Sequence, residues 1–174
     1  MQNLPTNYNV LSPISFRFTI KKLPNVSFFC QSVTVPEMRT TGIKRPSPMR
    51  DFEIYGDTLE FGILDVTFLI DEDLANYMEL YNWLRSMTSP DNFSGYNTTL
   101  NNSDDGLGVH GGLVSDATLH ILTNSKNTNK NIQYKDIFPT RLGGLNFESD
   151  VGAVTASVGT VTFSLADFTV ESVT

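Results

Sequence analysis

The sequence predicts a mainly β protein: a β-sandwich or barrel-like unit of seven or eight antiparallel strands with one flanking α-helix over about residues 72–87. Three observations predict it. Short segments along most of the chain alternate apolar and polar residues with period two. Clusters of Asn, Asp, Gly, Ser and Pro separate those segments. Only near residues 72–87 does the apolar period change to 3.6.

Residues 1–15 are polar, contain Pro5 and Pro13, and read as an N-terminal arm. Residues 16–174 read as one domain. Phe16, Phe18 and Ile20 alternate with Arg17 and Thr19, the pattern of a strand with one buried face. Leu23-Pro24-Asn25 breaks the run, because proline fixes φ and asparagine tolerates turns. An extended run over 26–35 follows and ends at Pro36, so 16–36 is expected to be a β-hairpin. Its second strand has apolar residues on both sides, which fits either contact with another subunit or a central strand of an ordinary sandwich.

Residues 37–52 hold two prolines, one glycine and four cations without periodicity, and are expected to be a long loop. With no aromatic residue before Phe52, docking of an acidic partner suits this loop better than nucleic acid; a plain solvated loop is the alternative. Two short strands are expected over 53–70, with a turn near Gly56-Asp57. Asp71 is the expected helix N-cap, with Glu72 and Asp73 favoured by the helix dipole. Leu74, Tyr77, Met78, Tyr81 and Leu84 form the expected buried stripe, which Leu80, Trp83 and Met87 widen. Residues 88–115 read as an irregular insertion. A strand over 117–123 and a polar tip over 124–131 form a second hairpin that returns through Ile132, Tyr134 and Ile137. Turns are expected at Phe138-Pro139-Thr140 and Gly143-Gly144, with a strand over 145–149. In the last run Val161, Phe163 and Leu165 are out of phase with Phe168 and Val170, which predicts a bulge near Ala166-Asp167.

Composition narrows the function. The net charge of −7 argues against a protein that coats DNA. The first 50 residues carry seven basic groups against one acid, and the rest carry five against 18. A basic head and an acidic body attract copies head to tail; chance clustering on a solvated surface is the alternative. No run of about 18 apolar residues is present, and the first residues do not resemble a signal peptide, so the expectation is a cytoplasmic, membrane-free chain. Cys30 is the single cysteine, inside a strand pattern, and is expected to be a structural thiol.

Catalytic and cofactor motifs fail on context. Gly106, Gly108 and Gly111 match GxGxxG without the strand before and the helix after that a dinucleotide site needs. Residues 101–106 echo a calcium loop whose last ligand position is Gly112 instead of glutamate. His110 and His120 are the two histidines, and Asp71 and Asp73 are accounted for by capping. No enzyme, cofactor or metal is expected.

The order of pieces is more informative than any motif. An LPN turn, FFCQ, a basic loop, FEIYGD, FGILDVTFLI, a DED-capped helix carrying YNWL, then YKDIFPTRLGGLNF and a final strand follow one another. In that order the chain resembles the tail tube proteins of contractile-tailed bacteriophages, over 16–36, 51–87 and 116–171. The insertion 88–115 is longer than the family needs. The resemblance implies a structural virion protein, made in the host cytoplasm, whose inner strands join in a hexameric ring as one closed β-barrel. Such rings stack head to tail into a hollow conduit for DNA. A baseplate tube initiator or a tail terminator of the same fold is the alternative. The implied partners are the protein itself, the tail sheath protein, the initiator at the baseplate, and genomic DNA passing without specific binding. Within that frame, Arg39, Lys44, Arg45 and Arg50 are expected to contact the next ring. Because a conduit must not hold DNA, small uncharged residues suit the channel wall: Ser32, Thr34, Thr155, Ser157, Thr160, Thr162 and Ser164, with Glu148, Asp150 and Glu171 as repelling acids.

Overall fold

The protein is described from a computed structural model over residues 10–88, 94–101, 111–147 and 156–173. The elements run β1 (Phe16–Ile20), α1 (Pro24–Phe28), β2 (Cys30–Thr34), β3 (Met38–Arg45), β4 (Phe52–Phe61), β5 (Leu64–Leu69), α2 (Ala75–Met87), α3 (Ser94–Asn101), a 3-10 turn (Gly111–Leu113), β6 (Ser115–Leu122), β7 (Thr128–Leu142), β8 (Val158–Ser164) and β9 (Asp167–Ser172). Seven strands form one antiparallel sheet in the order β1-β6-β7-β8-β5-β2, with β9 also paired to β7. Among the described residues β3 and β4 pair only with each other. The fold is therefore mainly β, as the alternation predicts.

β7 joins the two halves of the large sheet. Its first half pairs with β6 and β9, from Lys130 opposite Ser172 to Lys135 opposite Asp167. Its second half pairs with β8, from Phe138 opposite Ser164 to Leu142 opposite Val161. Between the halves Asp136 takes a φ of 52°, a left-handed backbone that Asp tolerates better than most residues. The facing strand breaks at Leu165-Ala166, where the Ala166 amide donates to the Lys135 carbonyl, so the expected slip in phase lies where the ribbon bends. The inner faces meet in one core, with Phe18, Ile20, Leu119, Ile132 and Tyr134 from one half and Leu64, Val66, Phe68, Val161 and Phe163 from the other. Each such side chain contributes about 1.5–3 kcal/mol when fully buried.

Several local expectations are corrected. Strands β1 and β2 are not a hairpin: β1 pairs β6, β2 pairs β5, and they end the strand order at opposite ends. The LPN break starts helix α1, with Pro24 in its first turn, where a missing N–H costs nothing. Ser27 Oγ then accepts from the Ile20 amide and donates to the Leu23 carbonyl, which ties α1 to the end of β1.

Residues 37–52 are not a loop, because 38–45 are strand β3. All eight of its residues are exposed, so it has no buried face and no apolar alternation to read. Nor do 53–61 contain a turn. β4 runs through Gly56, where the ladder with β3 is bulged. A Cβ on Gly56 would lie 2.1 Å from the Thr41 carbonyl oxygen, so the close crossing requires glycine.

Helix α2 begins at Ala75, and its N-cap is Leu74 (φ 56°) with no side-chain cap; Asp71 supplies only a carbonyl, to the Leu74 amide. The buried stripe is Asn76, Leu80 and Trp83, with Met87 packed beside it. Met78 and Tyr81 are exposed, so the helix is turned by about one residue from the expected face. Asn76 explains the error: its amide donates to the Leu69 carbonyl at 2.7 Å, a buried polar group that an apolar count omits. Trp83 packs its ring 6.0 Å from Phe163 and donates to the Leu113 carbonyl at 2.9 Å.

The insertion is not irregular throughout, since α3 lies within it. Phe138-Pro139-Thr140 does not turn the chain. β7 continues through it to Leu142, and Pro139 is tolerated because this half of β7 has β8 on one side only. Residues 145–147 are not in a strand. The arm before residue 10 and the end of the 145–149 expectation lie outside the described residues.

Candidate functional site: an open sheet face and a projecting hairpin

The second half of β7, with β8, β5 and β2, forms a four-stranded unit whose two faces differ in chemistry. One face is core: Leu64, Val66, Phe68, Val161 and Phe163. The other is open. Register places Ser32 opposite Thr67 and Thr67 opposite Thr160. In the next row Thr34 lies opposite Asp65, Asp65 opposite Thr162, and Thr162 opposite Arg141. Ser164, two residues beyond Thr162, shares this face and lies opposite Phe138.

Five expected channel residues from two distant segments, Ser32, Thr34, Thr160, Thr162 and Ser164, therefore meet on one surface. Ser157 is exposed just before β8. Thr155, Glu148 and Asp150 lie outside the described residues. Glu171 is elsewhere: on β9 it accepts from the Gln133 amide at 2.9 Å on the outer face of the other half-sheet. Residue patterning missed Asp65, Thr67 and Arg141. The alternation of Asp65 and Thr67 with Leu64, Val66 and Phe68 was the available signal. Thr162 Oγ1 donates to Asp65 Oδ1 at 2.7 Å, so the acid is held within the hydroxyl row. Arg141 beyond Thr162 departs from a wall free of cations.

The β3–β4 hairpin is the second component. Its root is fastened by the Gly62 amide donating to the Glu37 carbonyl and by Phe61 packing edge-on against Phe168, 5.4 Å between centroids. Beyond the root it stands off the body. Eight strand residues reach about 26 Å at ~3.3 Å each. Met38, Ile43, Met49, Phe52, Tyr55 and Leu59 are all exposed along it. An isolated two-stranded ribbon is marginal in water, and large exposed apolar patches are the surfaces on which proteins commonly make contacts.

The four cations expected to contact a neighbour do not form one basic patch. Arg39 lies opposite Glu60 near the root, and Lys44 opposite Glu53. Lys44, Arg45 and Arg50 are at the far end together with Asp51 and Glu53. Charge is thus largely balanced across the ribbon, and sequence reasoning missed the apolar residues between.

Nothing in these two components resembles a reaction centre. Among the described residues no three His, Cys, Asp or Glu side chains converge to hold a metal. Burial pushes the Cys30 thiol up to about 11, which keeps it protonated and unreactive at neutral pH. No helix among the described residues is long and apolar enough to cross a membrane.

With the geometry in place, the fold can be placed among solved ones. It is the fold of tube and tube-capping proteins of contractile injection systems. The chain is similar to one in the anti-feeding prophage tube-terminating cap, with a TM-score of 0.65 and 12% identity over 98% of this chain and 96% of that one. It is similar to a chain of the sheath/tube terminator of the extracellular contractile injection system PVC, with a TM-score of 0.64 and 14% identity over 97% and 100%. A chain of the PVC sheath–tube complex in its extended state matches with a TM-score of 0.60 and 12% identity over 97% and 95%. No protein-family model and no curated protein sequence matches the chain.

Proposed function

We propose that the protein is a structural subunit of a contractile-tail tube, forming hexameric rings that stack into a hollow conduit. The observation that carries this reading is the four-stranded unit with one apolar face buried, one face of small hydroxyls open, and both edges, β2 and the second half of β7, unpaired among the described residues. Unpaired edges are a liability in a monomer and are removed by closure. Joining such units edge to edge around a ring turns the hydroxyl face into a channel wall. A wall of small hydroxyls lets DNA pass without holding it; the Arg141 that each copy adds to the row is offset by Asp65 across Thr162, so the row carries one charge of each sign. The role is non-enzymatic. Its partners are further copies of the chain, a sheath protein around the tube and an initiator at the baseplate, in a phage tail or tail-like particle assembled in the bacterial host.

Electron microscopy of the purified protein tests this: hollow polymers of ring stacks are the expected result, and a monomer at all concentrations overturns it. A second reading is a single ring that starts or ends the tube, since chains of a tube-terminating cap and of a sheath/tube terminator share this fold with a chain of the sheath–tube complex. Isolated rings that never stack would establish that reading instead.

A further inference from the structure

We propose that Asp65 and Arg141 are a charge-matched pair that makes the channel wall indifferent to the sign of charge on its cargo, so that the conduit retains neither polyanions nor polycations. This deepens the tube-subunit reading and rests on it. Among the described strand residues, the pair is all the charge on the open sheet face. β2 presents Ser32 and Thr34 there, and β8 presents Thr160, Thr162 and Ser164. Only β5 and the second half of β7 add charged side chains, Asp65 and Arg141, and both are exposed.

Their placement makes the two charges a pair. Both fall in one row, Thr34, Asp65, Thr162 and Arg141, on strands two apart. Two strand spacings are about 10 Å, close to the Debye length at about 0.1 M salt, so a polymer passing at that distance meets both charges at once. Thr162 stands between them. Its Oγ1 donates to Asp65 Oδ1 at 2.7 Å, so the carboxylate leans along the row toward the arginine. Arg141 makes no hydrogen bond or ion pair with another described residue. The two are thus not locked in a closed salt bridge. Each faces the open side, and each is able to hold a cargo of opposite sign once the other is removed.

The arginine carries the argument. A wall that had only to release DNA would keep the acid alone, since a carboxylate repels phosphate and an arginine holds it. Arginine is the side chain best shaped to grip phosphate, through its fork of N–H donors. An exposed Arg141 is accounted for when positively charged segments must pass as well, because a belt of Asp65 by itself would hold lysine or arginine. Arg141 lies on the free edge of the unit and Asp65 next to the other edge strand, β2. Rows joined edge to edge therefore alternate acid and arginine around the wall, and neither sign forms an unbroken belt.

Assembled tubes of the full chain are mixed at low salt with a short single-stranded oligonucleotide or a short oligolysine. Co-sedimentation is measured for wild type, Asp65→Asn, Arg141→Gln and the double variant. Asparagine keeps a carbonyl oxygen for Thr162, and glutamine keeps a polar, uncharged end, so tubes should form in all four. Wild type and the double variant should retain little of either probe. Asp65→Asn should bind the oligonucleotide roughly ten-fold more tightly than wild type, with a steep fall as salt rises. Arg141→Gln should do the same for oligolysine. Single variants that retain no more than wild type overturn the proposal and leave the tube reading standing. A gain that the double variant does not cancel also overturns it, because the probe then sits on another surface. Thr34→Asp added to Asp65→Asn moves the acid one strand along the row and should restore the wild-type result; continued retention of the oligonucleotide overturns the pairing. Loss of tubes in both single variants overturns it by making the pair structural, and where one of them assembles, its result decides. Wild-type protein that forms no tubes overturns the tube reading, and this inference with it.

Discussion

The body and the hairpin of this protein obey opposite rules. In the body every long strand has a face in the core: Phe18, Leu119, Tyr134, Val66 and Phe163 are almost fully buried. In the hairpin all of β3 is exposed and most of β4 with it. The body buries its apolar residues in one shared core. The hairpin keeps its ladder and its Phe61 anchor, but Met38, Ile43, Met49, Phe52, Tyr55 and Leu59 are exposed along it. The difference teaches that stability and assembly are carried by separate residues, so substitutions should separate them too.

The largest effect is expected in the body. Trp83→Ala removes the ring packed on Phe163 and the hydrogen bond to Leu113. It should destabilise by about 3–5 kcal/mol, seen in chemical denaturation as a lowered midpoint and in expression as lost soluble protein. Tyr81→Ala, two residues away on the other side of the helix and 39% exposed, should cost about 1 kcal/mol or less. Equal losses in the two variants would mean that the helix buries both sides.

The hairpin offers the reverse test. Gly56→Val places a Cβ against the Thr41 carbonyl and should distort the ribbon. Polymerisation should fall sharply while the melting midpoint of the body changes little. A large drop in midpoint would show that the hairpin supports the body after all.

Charge at the hairpin tip should matter less. Reversing Lys44, Arg45 and Arg50 to Glu leaves the exposed apolar residues of the hairpin in place, and exposed ion pairs are individually worth about 0–1 kcal/mol. Rings should still form, with shorter stacks, most clearly at low salt. Normal stack length at every salt concentration would remove these cations from the interface.

The smallest structural effect is expected on the open sheet face. Thr34→Lys should change body stability by about 0.5 kcal/mol or less, and Thr162→Lys, which loses the hydrogen bond to Asp65, by about 1 kcal/mol, and both should leave tubes intact by microscopy. DNA release from assembled particles should nevertheless slow, because lysine belts hold phosphate. Release at the normal rate would place this face outside the channel.

That the small residues of β8 share one face was legible because β8 alternates strictly, and its inward set Val161 and Phe163 defines the opposite set Thr160, Thr162 and Ser164; β2, bulged between Cys30 and Ser32, gave a weaker signal. The hairpin was illegible for the complementary reason. Periodicity in a sequence records contact with the chain's own core, and β3 touches none. What it records instead, β-branched and apolar residues among charges, reads as a loop.

By itself the sequence determined the class of the protein. Strand alternation, one helical window, an out-of-phase final run and the absence of catalytic motif contexts all follow from local chemistry. Tertiary structure alone decided that β1 and β2 part company, that α2 turns Leu80 and Trp83 inward in place of Tyr81, and that Ser32 and Thr160 share a surface. Each of these depends on which of two acceptable faces meets a partner distant in sequence. Local propensity is the same for either choice; only packing the whole core separates them.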